Sequence, residues 1–429
     1  MPGVIPISSP FLRVGVVAST TLAILLLLAH DVAAQDTVPP SSLQGLLSEL
    51  AGKVNSIATG VPSPPPRTSG LAAQIGLELS TAPFGTSTGG LAVSFDPATG
   101  LATAAAPTFG PIFSQRSLTL GKGRISAGFN LLHASYNSFG ALNISNGDLR
   151  FVKNARTPDG LPFAVSYTAT TIEMTSETRV GFVSYGVTDA LDVGLAVPFV
   201  TVTLSADVGL FTVEDVDITP GAHLLVLPTT TSSGLGDIAL LGKYHFWRHH
   251  GGGLAAALEV RLPTGDTTNF RGAGVWRTQL SAIWSRGGRV SPHANVGFEY
   301  WSAPVQNDEV VQPFGDQQPT AVRNQISYAF GLELQPHARL TVIADVVGRR
   351  LLGSGRLGYR QVPVGPGTAE LLVALPESLD AVSFAPGFKW NLAGNVLLTG
   401  TVLTAITNGG LRANLIPVVG LDWAFGRQD

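Results

Sequence analysis

The sequence contains no cysteine and only 2 methionines. Zero cysteine rules out disulfides, thiolate metal sites and cysteine nucleophiles. Charge is scarce too: Asp, Glu, Lys and Arg make up 13% of the 429 residues, against roughly 25% in a soluble domain. Beyond the N-terminus no apolar run approaches the ~18 residues that a membrane helix requires. With a formal net charge of -3, nothing points to nucleic acid. Hydrophobic residues nevertheless reach 45% and glycines number 50. A chain too apolar for easy solubility, yet without spanning helices, fits a barrel whose strands alternate lipid-facing and lumen-facing residues.

The N-terminus reads as a secretory signal. Arg13 supplies the positive region and 14–29 the apolar stretch, densest at Leu22-Ala23-Ile24-Leu25-Leu26-Leu27-Leu28. Val32-Ala33-Ala34 offers small residues for cleavage near Ala34, and an uncleaved anchor is the alternative. Residues 35–70 then carry Leu43, Leu46, Leu47, Leu50, Val54 and Ile57 at helical spacing, followed by Val61-Pro62-Ser63-Pro64-Pro65-Pro66. That predicts a short periplasmic helix and a stiff linker, the helix serving as a lumen plug or an oligomerisation stub, with a disordered arm as the plainer reading. Residues 71–115 are rich in Gly, Ala, Thr and Pro and suggest a hairpin around Phe95-Asp96-Pro97-Ala98-Thr99-Gly100, or a plug.

Over 116–429 the pattern becomes that of strands, apolar and polar positions alternating with period two. In 122–134, Ile125, Ala127, Phe129 and Leu131 share one parity and Arg124, Ser126 and Asn130 the other. In the next segment Ile172, Met174, Val180 and Phe182 oppose Glu173, Thr175, Glu177 and Arg179. About twelve segments repeat this, near 122–134, 169–186, 190–205, 235–247, 253–262, 276–286, 289–301, 321–334, 339–349, 381–391, 395–405 and 411–425. Short links at 187–189, 248–252, 287–288, 335–338 and 392–394 alternate with long ones at 135–168, 206–234, 263–275, 302–320 and 350–380; 406–410 is the one short exception. The expected fold is all-β: an up-and-down antiparallel transmembrane β-barrel of about 12 strands, preceded by the short N-terminal helical or irregular periplasmic segment. Short turns belong in the periplasm and long loops outside. Trp247, Trp276, Trp284, Tyr300, Trp301, Trp390, Trp423 and Phe425 fall near strand ends, where aromatic girdles form. The last aromatic is trailed by four residues, Gly426 to Asp429.

A charge on the lipid face costs about 2–4 kcal/mol at the midplane for Arg or Lys, so one parity must point inward. That parity collects Glu173, Glu177, Arg179, Asp237, Lys243, His245, Glu259, Arg261, Arg277, Glu299, Arg323, Glu333, Asp345, Arg349 and Lys389. They form either a conduit of mixed charge or a set of pairs that fills and stiffens a narrow barrel. His133 and Ser135 have a His-x-Ser spacing on the outward parity, a possible hydrolytic pair were a third residue to orient the His. The start of the neighbouring segment, Thr168 to Ile172, offers no Asn or Asp for that. His245, His249 and His250 cluster near a short turn beside Gly251-Gly252-Gly253, which favours a solvated turn over a metal site. No phosphate-binding glycine loop, serine elbow or cofactor motif is present.

Phe109-Gly110-Pro111-Ile112-Phe113, Leu118-Thr119-Leu120-Gly121-Lys122-Gly123, Gly234-Leu235-Gly236-Asp237-Ile238 with Lys243-Tyr244, and Leu262-Pro263-Thr264-Gly265-Asp266 form a further set. On these the chain resembles the family of outer-membrane transporter barrels of the phenol meta-pathway type, across roughly 109–425. The resemblance implies passage of hydrophobic or aromatic compounds across the outer membrane and transfers no catalytic residue. The sequence therefore predicts a non-enzymatic, cofactor-free outer-membrane channel. Its expected partners are membrane lipid, a small organic solute and the barrel-assembly machinery. A structural or adhesive barrel acting through 135–168 and 350–380 is the alternative. A membrane lipase using His133 and Ser135 is the remote one.

Overall fold

The computed structural model describes residues 42, 43, 46, 75, 76, 78–80, 93–95, 102–104, and 108–425 apart from 148, 157–161, 214–221, 308–319, 354–355, 365–366, 376 and 394. The expected signal 1–34 and the Pro-rich stretch 61–66 lie outside the described residues.

Twelve strands build one wall: β1 Ile125–Phe139, β2 Pro162–Gly186, β3 Leu191–Val213, β4 Ala239–His249, β5 Gly252–Arg261, β6 Arg277–Ser285, β7 Val290–Asn307, β8 Thr320–His337, β9 Leu340–Leu352, β10 Leu379–Asn391, β11 Val396–Ala405 and β12 Leu415–Phe425. Each pairs antiparallel with its sequence neighbours. β1 then closes the ring by pairing with β2 on one side and β12 on the other. The expected fold class is correct: a closed, twelve-stranded, up-and-down barrel. Closure matters physically, because in hydrocarbon every backbone N–H and C=O must find its partner within the wall.

The short links are tight. β4 and β5 are joined by His250 and Gly251 alone, Gly252 pairing with His249. Both turn residues have positive φ, 47° and 68°, the twist that a two-residue hairpin prefers. Outside, the wall is apolar. Leu258, Leu280, Val296, Phe298, Phe330, Leu332, Phe388 and Val419 all point outward and are exposed, Leu280 by 61%. A patch this continuous would be untenable in water; facing lipid it is what holds the barrel in place. Trp247, Trp276, Trp284, Tyr300, Trp390 and Phe425 are likewise exposed. Trp301 is not. It turns inward, 2% exposed, and its indole N–H donates to Glu299 at 2.8 Å.

β2 and β3 run for 25 and 23 residues, while about 9–11 suffice to span a bilayer. They continue past the rest of the wall at the long-loop end, flanked by strands Leu149–Arg156 and Ala222–Leu235. This corrects the sequence reading of β2. Ile172, Met174, Val180 and Phe182 are the buried, inward residues, whereas Glu173 and Arg179 are exposed and Glu177 is half-exposed on the outer face. Above the apolar band the outer face meets water and the inner face meets packed chain, so polarity reverses along one strand.

What packs there includes described residues that precede the wall in sequence. Leu43, Leu46, Ile75 and Leu79 join Ile172, Met174, Val202, Leu204 and Phe270 in one buried cluster. The Leu43 N–H donates to Asn269 in the loop between β5 and β6. Leu43 and Leu46 thus lie inside the long-loop end of the barrel. Farther on, Val93–Phe95 pairs antiparallel with Ala102–Ala104.

Candidate functional site: an occupied lumen

Residues 108–123 carry almost no regular structure, yet they are threaded into the short-turn half of the barrel. Over 108–120, wall side chains, rather than a neighbouring strand, satisfy the backbone. The N–H groups of Phe109, Gly110 and Gln115 donate to Thr341, Glu333 and Asn295 at 2.9, 3.0 and 3.0 Å. Asp345 accepts, at longer range, from Ile112 and Phe113. Leu120 donates to Asp192 at 2.9 Å. In the other direction Lys389 donates to the Pro111 carbonyl at 2.8 Å and Lys243 to that of Arg116 at 3.4 Å. The Arg116 guanidinium bonds Glu333, the Thr108 carbonyl and the Thr108 hydroxyl, closing 108–116 into a loop. Ser117 and Ser285 share a hydrogen bond of 2.7 Å. His293 sits beneath, Nε2 at 2.8 Å from Asp345 and Nδ1 at 3.4 Å from Glu333. A buried carboxylate or ammonium is costly unless paired; here each one that faces the loop is bonded to it.

The long-loop half is tied differently. Asp237 accepts from the N–H groups of Gly265 and Ala273 at 3.1 and 2.9 Å, and from Arg277 at 3.1 Å. Thr264 completes the join, bonding the Gly236 carbonyl and the Ile238 N–H. Two of the motifs that carried the family resemblance, Gly234 to Ile238 and Leu262 to Asp266, therefore fasten to each other. Arg277, fully buried, also donates to the Ser80 carbonyl at 3.1 Å and lies over the Trp301 ring at 5.5 Å. Glu78 accepts from Leu411 N–H and stands 4.0 Å from Arg349. Outside the wall, Asp266 caps the turn Thr267–Asn269. Burial alone would raise its carboxyl, but hydrogen bonds from Asn269, Thr268 and Arg271 outweigh that and hold it at about 2.

Of the residues read as lumen-facing, Asp237, Lys243, His245, Arg277, Glu299, Glu333, Asp345 and Lys389 are buried, and Glu259, Arg261 and Arg349 are nearly so. The side chain of Arg323 lies outside the described residues. Glu173, Glu177 and Arg179 are not inside, as given above; Glu177 and Arg179 pair with each other on the outer face. His133 and Ser135 are exposed on the outer face too, opposite Glu177 and Thr175 in register. No hydrogen bond joins the two. The three histidines do not converge: His245 is buried and bonded to the Trp247 carbonyl, while His249 stacks on the Trp247 ring and His250 forms the turn.

Between the loop below and Glu78 above lies a chamber of about 220 Å³. Phe113, Ser114 and Gln115 line its floor; Leu403 and Ile416 form an apolar wall, and Arg261, Arg277 and Arg349 stand with their carboxylates around the rest. Neutral groups share the space: Gln279, Ser281, Asn295, Gln325 and Ser327. Counting charges alone passed these over, although their inward parity was readable.

No curated protein matches the chain in sequence. Among solved structures, an outer membrane channel from Pseudomonas putida F1 is similar at 14% identity and TM-score 0.44, over 72% of this chain and 98% of that one. The CymD monoaromatic hydrocarbon channel is similar at 12% identity and TM-score 0.32, over 72% and 90%. A Pseudomonas aeruginosa FadL homologue is similar at 10% identity and TM-score 0.30, over 81% and 98%. Likeness this distant says nothing of a solute. A family model described as "Putative MetA-pathway of phenol degradation" matches residues 147–304. The family that the motifs resemble is thus the one whose model this chain matches, over the stretch from the first long loop into β7.

Proposed function

We propose that this chain is an outer-membrane transporter that passes small organic solutes, hydrophobic or aromatic, through its lumen. Membrane lipid surrounds the barrel, the short turns face the periplasm and the long loops face outward. It performs no covalent chemistry. The observation that carries the reading is the chamber itself: a cavity of about 220 Å³ inside a lipid-facing barrel, floored by Phe113 to Gln115 and bordered by Glu78. An apolar cavity of about 150 Å³ holds a benzene molecule, so the chamber suits a single ring with a substituent. The loop 108–120 is held by side-chain bonds rather than by a strand ladder, so it can leave the lumen without opening the wall. The lumen charges act here as seats for that loop and not as a charged conduit.

The test is reconstitution. Purified barrel, confirmed as folded by its shift on an unboiled gel, is placed in vesicles rich in lipopolysaccharide, and uptake of one-ring and three-ring solutes is followed. The reading expects faster uptake of one-ring solutes than in protein-free vesicles and no gain for three-ring ones. Equal rates with and without protein for every solute would contradict it.

A further inference from the structure

We propose that the chamber is built for an uncharged solute with one hydrogen-bonding end, and that this end sits over Gly297 between Ser281, Ser327 and Gln279. The inference rests on the passage reading and names the kind of solute the chamber takes. It begins with the charges. Arg277 stands between Asp237 at 3.1 Å and Glu299 at 3.8 Å. Arg261 is bonded to Glu259 at 2.5 Å, and Arg349 faces Glu78 at 4.0 Å. Each of these three guanidiniums already has its counter-ion, and Arg412, elsewhere in the lining, is bonded to Asn408 and Ser138. An entering ion would lose its water and then either stand beside a like charge or break a buried pair, and both are costly.

The neutral groups are arranged otherwise. Register places Ser281 of β6, Gly297 of β7 and Ser327 of β8 directly side by side. A Cβ on Gly297 would fall 2.5 Å from the Ser281 hydroxyl, 2.8 Å from the Ser327 hydroxyl and 2.9 Å from the Gln279 amide nitrogen. Three polar atoms, two from β6 and one from β8, therefore converge on a spot of β7 that only glycine leaves open. The Gln279 amide donates to Ser281 at 2.9 Å, which orients that hydroxyl to donate onward. Hydroxyls both give and accept hydrogen bonds, so the cradle takes an alcohol, amide or carbonyl end. Leu403 and Ile416 of β11 and β12 line the chamber elsewhere, giving an apolar body a surface to rest on.

The test uses purified, detergent-solubilised barrel and three fluorinated probes of one size: 4-fluorobenzyl alcohol, 4-fluorotoluene and 4-fluorobenzoate. Fluorine NMR line-broadening gives binding to the wild type, to Gly297→Ala, and to a Ser281→Ala/Ser327→Ala double variant. The micelle contribution is common to all three proteins and cancels. The expected result is that the wild type prefers the alcohol and ignores the benzoate. Both variants should lose alcohol affinity about three- to ten-fold, the worth of one hydrogen bond, with 4-fluorotoluene unchanged. Should Gly297→Ala fail to fold, the serine variant, which only removes two oxygens, decides alone. Tightest binding of the benzoate, equal losses for alcohol and toluene, or no binding of any probe to the wild type would overturn the proposal. None of these readouts requires passage, so a barrel that shows the preference but moves nothing in vesicles would leave this site standing and remove the transport reading.

Discussion

A single residue in this wall answers to whichever solvent its Cβ faces. Phe330 of β8 is half-exposed on the outer face, opposite Ala294 of β7 and Val346 of β9, and so sits within the apolar band. Its neighbour Ala329, one position along, is buried inside. Replacing Phe330 by Arg is expected to destabilise the folded barrel in lipid vesicles by about 2–4 kcal/mol, measured by reversible denaturant titration. An unchanged midpoint would mean that this face does not meet lipid. The rule reads directly from sequence where a strand stays within the membrane, and so Asp237, Lys243, Arg277, Glu333, Asp345 and Lys389 were placed inside from parity alone. It misled at Glu173, Glu177 and Arg179 because β2 leaves the apolar band partway along its length. Above that level, inward no longer means polar: Ile172 and Met174 face a packed hydrophobic cluster.

At the scale of elements, hairpins and loops divide the work. Alternating link lengths disclosed the strand order, since a tight turn such as His250-Gly251 can only join antiparallel neighbours. The loop 108–120 escaped this reading, having no period to detect. Its Phe109 to Phe113 fell within the stretch 71–115 read as a hairpin or a plug, and Leu118 to Gly123 stood out as a motif resembling a family. A signal was nevertheless present. An interior holding Asp192, Glu333, Asp345, Lys243 and Lys389 in a narrow barrel must find partners for them, and an irregular segment full of free backbone groups supplies both signs. The loop between β5 and β6 is fastened by a charge of its own. Because the Asp266 carboxyl titrates at about 2 when folded against an ordinary 3.8, it stabilises its turn fully above pH 4. That contribution fades as pH falls from there through about 2. Limited proteolysis of the loop 262–276 with pepsin should therefore accelerate between pH 4 and 2 in the wild type. In Asp266→Asn the same loop should already be susceptible at pH 4. Equal cleavage profiles for the two proteins would show that the cap does not hold the loop.

At the scale of the molecule, the described residues form a membrane-facing wall around the loop 108–120 and around Leu43, Leu46, Ile75, Glu78, Leu79 and Ser80. Closure of twelve strands leaves no edge within the ring, and the interior charges, costly if left bare, are spent on holding the loop 108–120, Glu78 and Ser80 in place. A rigid stopper would make this a sealed cylinder; the proposed transport requires a movable one. The absence of native cysteine permits a clean decision. The Ser117 and Ser285 hydroxyls lie 2.7 Å apart, near enough for a disulfide between cysteines at those positions, which would pin the loop to β6. Solute uptake by vesicles carrying Ser117→Cys/Ser285→Cys is the measurement to make, oxidised and then reduced, beside the wild type under both conditions. The account predicts that oxidation abolishes uptake and that reductant restores it, with the wild type indifferent to either. Undiminished uptake with the disulfide formed would contradict it, because the solute would then cross without the loop giving way.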